Sequence, residues 1–199
     1  MERGYWIRSK PVYTALLWNT KATAHAVLAA GEGGLAVLKL FQQALPEQAI
    51  TVFYSPAGAS KDYLPALQAA AGADLQVFET TAALLEAWTR YLASARMGLR
   101  IYSAGTEKFM WEVTDAAEAF GTLSNDVMKE LTGSLARSVY CVHCKSLTHE
   151  VTSNIATCAG CGRHLFVRDH FSRRMGAYMG LMVDAENPGE VPEIEEIYP

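Results

Sequence analysis

All four cysteines of the chain fall in two short pairs, Cys141-Val142-His143-Cys144 and Cys158-Ala159-Gly160-Cys161. Two Cys-x-x-Cys turns separated by a short loop have the spacing of a four-thiolate metal site. Each turn lets two sulfurs and the intervening backbone N–H groups face one ion. Gly160 and Gly162 flank Cys161 and make tight backbone turns easy there. Four protein sulfurs close the coordination shell, so no position remains for an activated water. The chemistry implied is therefore structural rather than hydrolytic. Zinc suits this set and is the favoured reading. Iron also binds four thiolates, as a rubredoxin-like electron carrier. Gly162 after the second pair suits iron, but neither knuckle carries the proline usual after the first cysteine of rubredoxin sites. The Cys-x4-Cys-x2-Cys spacing of a plant-type [2Fe–2S] cluster is absent.

Four histidines lie in or near this segment. His143, inside the first knuckle, could compete as a ligand. His149, His164 and His170 read as surface groups or as groups behind the ligands. No serine or cysteine signature supplies a nucleophile for a catalytic histidine, so no catalytic residue is assigned. Arg163, Arg168, Arg173 and Arg174 form a local basic cluster. It suits a protein–protein contact, where arginine is enriched, better than a nucleic-acid contact. Met175, Tyr178, Met179 and Met182 make an apolar stretch that reads as core or as a docking surface.

A second place with chemical potential is Gly31-Glu32-Gly33-Gly34, which follows an apolar run and opens an amphipathic one. Such a turn can present backbone N–H groups to a phosphate. Gly31, Gly33 and Gly34 are the candidate cofactor-binding residues. The spacing departs from Gly-x-Gly-x-x-Gly, and Glu32 adds negative charge where a phosphate would sit.

The elements that would position these groups alternate. Ala26–Ala30, Ile50–Tyr54, Leu75–Phe78 and Leu99–Ser103 read as strands. Between and after them come four helical stretches. The first is amphipathic, with Leu35, Leu38, Phe41 and Leu45 near helical spacing and Pro46 as a stop. The second runs from Lys61 to Ala71, with Gly72 as its cap. Leu84, Leu85, Trp88 and Leu92 line the third, and Phe109, Met110, Val113, Ala117 and Phe120 line the fourth. This pattern predicts an α/β fold, a parallel sheet with helices on both faces, from about Lys10 to Gly121. A bridging segment, Leu123 to Leu135, contains a short helix around Asn125–Leu131. In the cysteine module, Thr148–Ala156 and Leu165–Arg168 read as strands. The expected domains are 1–135, a β-rich ribbon over 136–183, and an extended tail over 184–199. That tail has six acidic residues, no basic one and three prolines.

Bulk properties narrow the class. Of 199 residues half are hydrophobic, so a packed core is expected. The net charge of −4 argues against a dedicated nucleic-acid binder. Met1–Trp6 lacks a charged-then-apolar leader. No apolar run reaches the roughly 18–20 residues needed to span a bilayer. A cytoplasmic protein with reduced thiols and no membrane association is the expectation.

The order of elements resembles the nicotinamide-binding domain of ferredoxin-reductase-type flavoproteins. The Gly-rich turn after the first strand and Ile101-Tyr102-Ser103-Ala104-Gly105 before a helix carry that likeness. The family's Cys-Gly-Pro turn is replaced by Ser103-Ala104-Gly105-Thr106, and the Gly-rich loop lacks the usual Thr-Pro. The whole chain resembles the small-subunit family of bacterial dimethylamine monooxygenase. Val139–Cys144, the second knuckle and His164–Ser172 carry most of that resemblance. It implies an accessory, structural subunit of a multisubunit enzyme that uses NADPH and O₂ to convert dimethylamine to methylamine and formaldehyde. Haem would sit in one partner subunit. FMN and a [2Fe-2S] cluster would sit in a reductase partner that takes NADPH. Zinc would be this chain's own metal. A nicotinamide-binding reductase role remains the other alternative beside the iron carrier.

Overall fold

In the computed structural model residues 9–199 are described. The expectation about Met1–Trp6 lies outside them. The chain divides into two units: Tyr13–Gly133, and residues 9–12 with Ser134–Pro199.

The first unit is built on a run of buried small and branched residues. Strand β1 (Ala24–Ala30) is covered on both faces from His25 onward, as expected of the centre of a parallel sheet. It is followed by α1 (Gly33–Phe41), β2 (Ile50–Ser55), α2 (Leu64–Ala71), β3 (Leu75–Val77), α3 (Thr81–Leu92), β4 (Leu99–Gly105), α4 (Glu107–Glu118) and β5 (Val127–Leu131). The strand order is β3-β2-β1-β4-β5, and every pairing is parallel. Alternate residues of the strands feed two cores. Val27, Ala29, Val52, Tyr54 and Tyr102 pack with Val37, Leu40 and Leu67 of α1 and α2. Ala26, Leu28, Phe53 and Ile101 pack with Leu84, Trp88, Met110 and Val113 of α3 and α4. The sheet thus carries helices on both faces, as the alternation of elements predicts.

Three local expectations are corrected. The segment Asn125–Leu131 is not a helix: after one short 3-10 turn it becomes β5, paired with β4 from Val127↔Ile101 to Leu131↔Gly105. Val127 and Leu131 face one core and Met128 the other. That period of two, completed by β4, outweighs the helix propensity of Met-Lys-Glu-Leu. The buried side of α1 is Ala36, Val37 and Leu40, whereas Leu35 and Leu45 are about half exposed. Close packing of Gly33 and Gly34 sets the helix rotation, and Leu45 lies past the helix end. Phe120 lies past the end of α4 and is likewise exposed.

The second unit holds β6 (Arg137–Cys141), β7 (Leu147–Val151), β8 (Ile155–Thr157), β9 (His164–Ser172) and β10 (Ala177–Met182) in the order β7-β6-β10-β9-β8. Only β6 and β10 run parallel. Thr148–Ala156 is therefore two strands rather than one. The methionine stretch forms β10, a central strand. Gly180 lets it lie there, because a Cβ would press on Val139 and Leu165. The segment after Met182 contains no helix and no named strand, yet its last residues are hydrogen-bonded to the ribbon through Thr152 and Asn154.

Candidate functional site

The two cysteine pairs sit on two equivalent turns. Cys141 ends β6, and Cys158 follows β8 directly. In the first turn the Cys141 N–H donates to Ser146 O (2.9 Å) and the Lys145 N–H donates to Cys141 O (3.0 Å). In the second the Cys158 N–H donates to Arg163 O (2.9 Å) and the Gly162 N–H donates to Cys158 O (3.0 Å). The offsets from the first cysteine are identical. The residue four places on is left-handed in both, with φ 69° at Lys145 and 70° at Gly162. Glycine adopts that conformation at no steric cost, and lysine does not.

The turns bring the four sulfurs together. All lie within 4.8 Å of one another, with Cys144 and Cys158 Sγ 3.5 Å apart and Cys141 and Cys161 Sγ 3.9 Å apart. A tetrahedron with metal–sulfur bonds of about 2.3 Å has edges of about 3.8 Å, so the spacing fits one ion. Cys141 and Cys158 are buried; Cys144 and Cys161 lie toward the surface. Gly160 lies where the turns meet, and a Cβ there would strike the side chain of Ser146. The surroundings of Cys144 and Cys161 favour thiolates. At Cys158 the Cys161 backbone N–H is outweighed by burial and the neighbouring thiols, which push the thiol up to about 11. The Ser146 hydroxyl and backbone N–H hold the Cys144 thiol down at about 6. The Arg163 backbone N–H, and then its guanidinium, lower that of Cys161. Among the described residues the four sulfurs form the one cluster of His, Cys, Asp and Glu atoms that could hold an ion. His143 does not join it. His149 Nδ1 is instead 2.9 Å from Ser138 Oγ. Ser146 carried no signal in the sequence beyond lying two places after Cys144, and Arg163 was legible only as a member of the basic cluster, not as a partner of Cys161.

The glycine turn lies where the doubly wound sheet changes direction, at the carboxyl ends of β1 and β4. Open α/β sheets bind ligands at such points. Gly31 is left-handed (φ 54°), and its N–H donates to Ser55 O. A Cβ on Gly33 would strike the Ala104 carbonyl, and one on Gly34 would press on the Tyr63 side chain. Both glycines are thus consumed by packing. The Glu32 carboxylate accepts from the Ser60 N–H and the Tyr63 hydroxyl, each at 2.5 Å. The Ser60 side chain, then Tyr63, then the Ser60 N–H hold it down at about 2. A fixed negative charge therefore stands beside the turn throughout the physiological range. It ties α1 to the loop before α2.

Comparison with known proteins follows this division. The family model described as "Dimethylamine monooxygenase subunit DmmA-like, N-terminal domain" matches residues 5–127. The C-terminal domain of the same description matches residues 138–181. A curated relative from Ectopseudomonas mendocina (strain ymp), the heme-dependent oxidative N-demethylase delta subunit, is 39% identical over 97 residues. The match spans 49% of this chain and 55% of the relative, about half of each. Among solved structures, phthalate dioxygenase reductase is 15% identical with a TM-score of 0.46, covering 67% of this chain and 46% of that one. A type IV self-sufficient cytochrome P450 monooxygenase is 15% identical with a TM-score of 0.45, covering 66% and 19%.

Proposed function

From the premise that the chain belongs to the DmmA-like family of dimethylamine monooxygenase subunits, we propose that it is an accessory subunit of an NADPH- and O₂-dependent N-demethylating monooxygenase. The substrate would be dimethylamine, the products methylamine and formaldehyde. Its partners are a haem-binding subunit and a reductase subunit with FMN and a [2Fe-2S] cluster, and its role is to hold them together. Cys141, Cys144, Cys158 and Cys161 hold zinc, which folds the ribbon and performs no redox step. Gly31, Gly33 and Gly34 are the remnant of a nucleotide turn now used for packing. The chain works in the cytoplasm; among the described residues no helix is long and apolar enough to cross a membrane.

One observation carries this reading. The four sulfurs of two equivalent knuckles lie within 4.8 Å of one another, and an ion held by all four has no position left for water or substrate. Metal analysis and an absorption spectrum of the chain purified alone test it. A colourless protein with one zinc per chain, recovered together with the haem and reductase subunits on coexpression, is the expected result. A red, reducible preparation would assign the sulfurs to iron and the chain to electron transfer. Failure to associate with those subunits would remove the accessory role.

A further inference from the structure

The end of the chain is bound to the ribbon in the manner of a peptide ligand. Residues 193–198 run antiparallel to 152–154, the link between β7 and β8, with a bridge at Ser153↔Glu196. The Asn154 N–H donates to Glu195 O (3.0 Å). The Ile197 and Tyr198 N–H groups donate to Thr152 O (2.9 and 2.8 Å). The Asn154 side chain reads the same backbone: its Oδ1 accepts from the Glu195 N–H (2.9 Å) and its Nδ2 donates to Glu193 O (3.3 Å). An asparagine amide bonded twice to one extended segment serves recognition of main chain. The ring of Tyr198 covers the Arg137 guanidinium at 3.7 Å, and the ring of Tyr178 also lies against it at 3.9 Å. Arg137 is 5% exposed. Its Nη2 pairs with Asp169 (2.8 Å), and its Nη1 is buried without a hydrogen-bond partner. The docked segment is wholly acidic in its charge, whereas residues 134–183 carry six basic and two acidic side chains.

We propose that the ribbon carries a peptide-docking site, formed by Arg137, Tyr178 and Thr152–Asn154, and that Glu193–Tyr198 is its tethered ligand. The site takes an extended, acidic segment with an aromatic ring that closes over Arg137. Backbone pairing gives affinity, and the ring over a desolvated cation gives selectivity. The connection through Asn187-Pro188-Gly189 is short, so the tethered segment meets its site at an effective concentration on the order of mM. Modest intrinsic affinity then keeps the site filled. Only a segment presented at comparable local concentration, as on a bound partner subunit, displaces it.

The test cuts the folded chain at a protease site placed in 187–189. Separation of the fragments is followed by titration with labelled peptide 190–199. Saturable binding, or retention of the cut segment through separation, supports the proposal. The peptide carrying Tyr198→Ala, which cannot disturb the ribbon's folding, should bind roughly ten-fold more weakly. Asn154→Ala in the body should weaken binding comparably. Absence of saturable binding by a body that has lost the segment overturns the proposal. So does binding indifferent to both substitutions, since that marks unspecific attraction of an acidic peptide to a basic surface.

Discussion

Lys145 and Gly162 hold the same place in successive knuckles and pay different costs for it. Both are left-handed, and a Cβ on Gly162 would meet nothing within 4 Å. Gly162→Ala therefore isolates backbone strain. It should lower the stability of the ribbon by about 1 kcal/mol in urea unfolding, while Lys145→Gly should be neutral or stabilising. Cys158→Ser is of another order. It removes one of the two buried sulfurs of the cluster and, under the proposed zinc role, should abolish tight zinc binding, measured by competition with a chromogenic chelator. Glu32 makes a pH-dependent contribution. Its carboxyl is held at about 2, below the ordinary 4.5, by Ser60 and Tyr63. The stability it supplies is complete above pH 4.5 and is lost as pH falls toward 2. The difference in melting temperature between wild type and Glu32→Gln should accordingly be largest near neutrality and shrink across that window. A constant difference would mean the carboxylate's charge plays no part.

At the scale of elements, the contact between α1 and β4 rests on one missing side chain. Gly33 has ordinary helical geometry, so alanine there meets no backbone strain, only the Ala104 carbonyl. Gly33→Ala should cost about 1–3 kcal/mol by forcing the helix off the sheet. Denaturant unfolding followed by helical circular dichroism reads it directly. β5 makes a complementary point. Val127, Met128 and Leu131 alternate between two cores, but four of the residues from Met128 to Leu131 are good helix formers. Its conformation is decided by hydrogen bonds to β4, which is 26 residues earlier in the chain.

At the scale of the molecule, the four α-helices among the described residues all belong to Tyr13–Gly133, and the four sulfurs all belong to the other unit. If the four sulfurs hold the proposed zinc, a strong chelator should therefore abolish the ribbon's unfolding transition and leave the helical circular dichroism near its starting value. Loss of helix on chelation would show that the sheet unit depends on the ribbon for its fold.

The cysteine spacing announced a four-sulfur site without any structure, because two such turns can satisfy one tetrahedral ion by local geometry alone. The strand–helix alternation likewise announced a parallel sheet, because period and punctuation are written in neighbouring residues. The rotation of α1, the strand at Val127–Leu131 and the latch of Glu32 on Ser60 and Tyr63 were decided elsewhere. So was the docking of Tyr198 over Arg137. Each depends on a group distant in the chain, and the free energy of such a contact exists only once the fold has closed the distance.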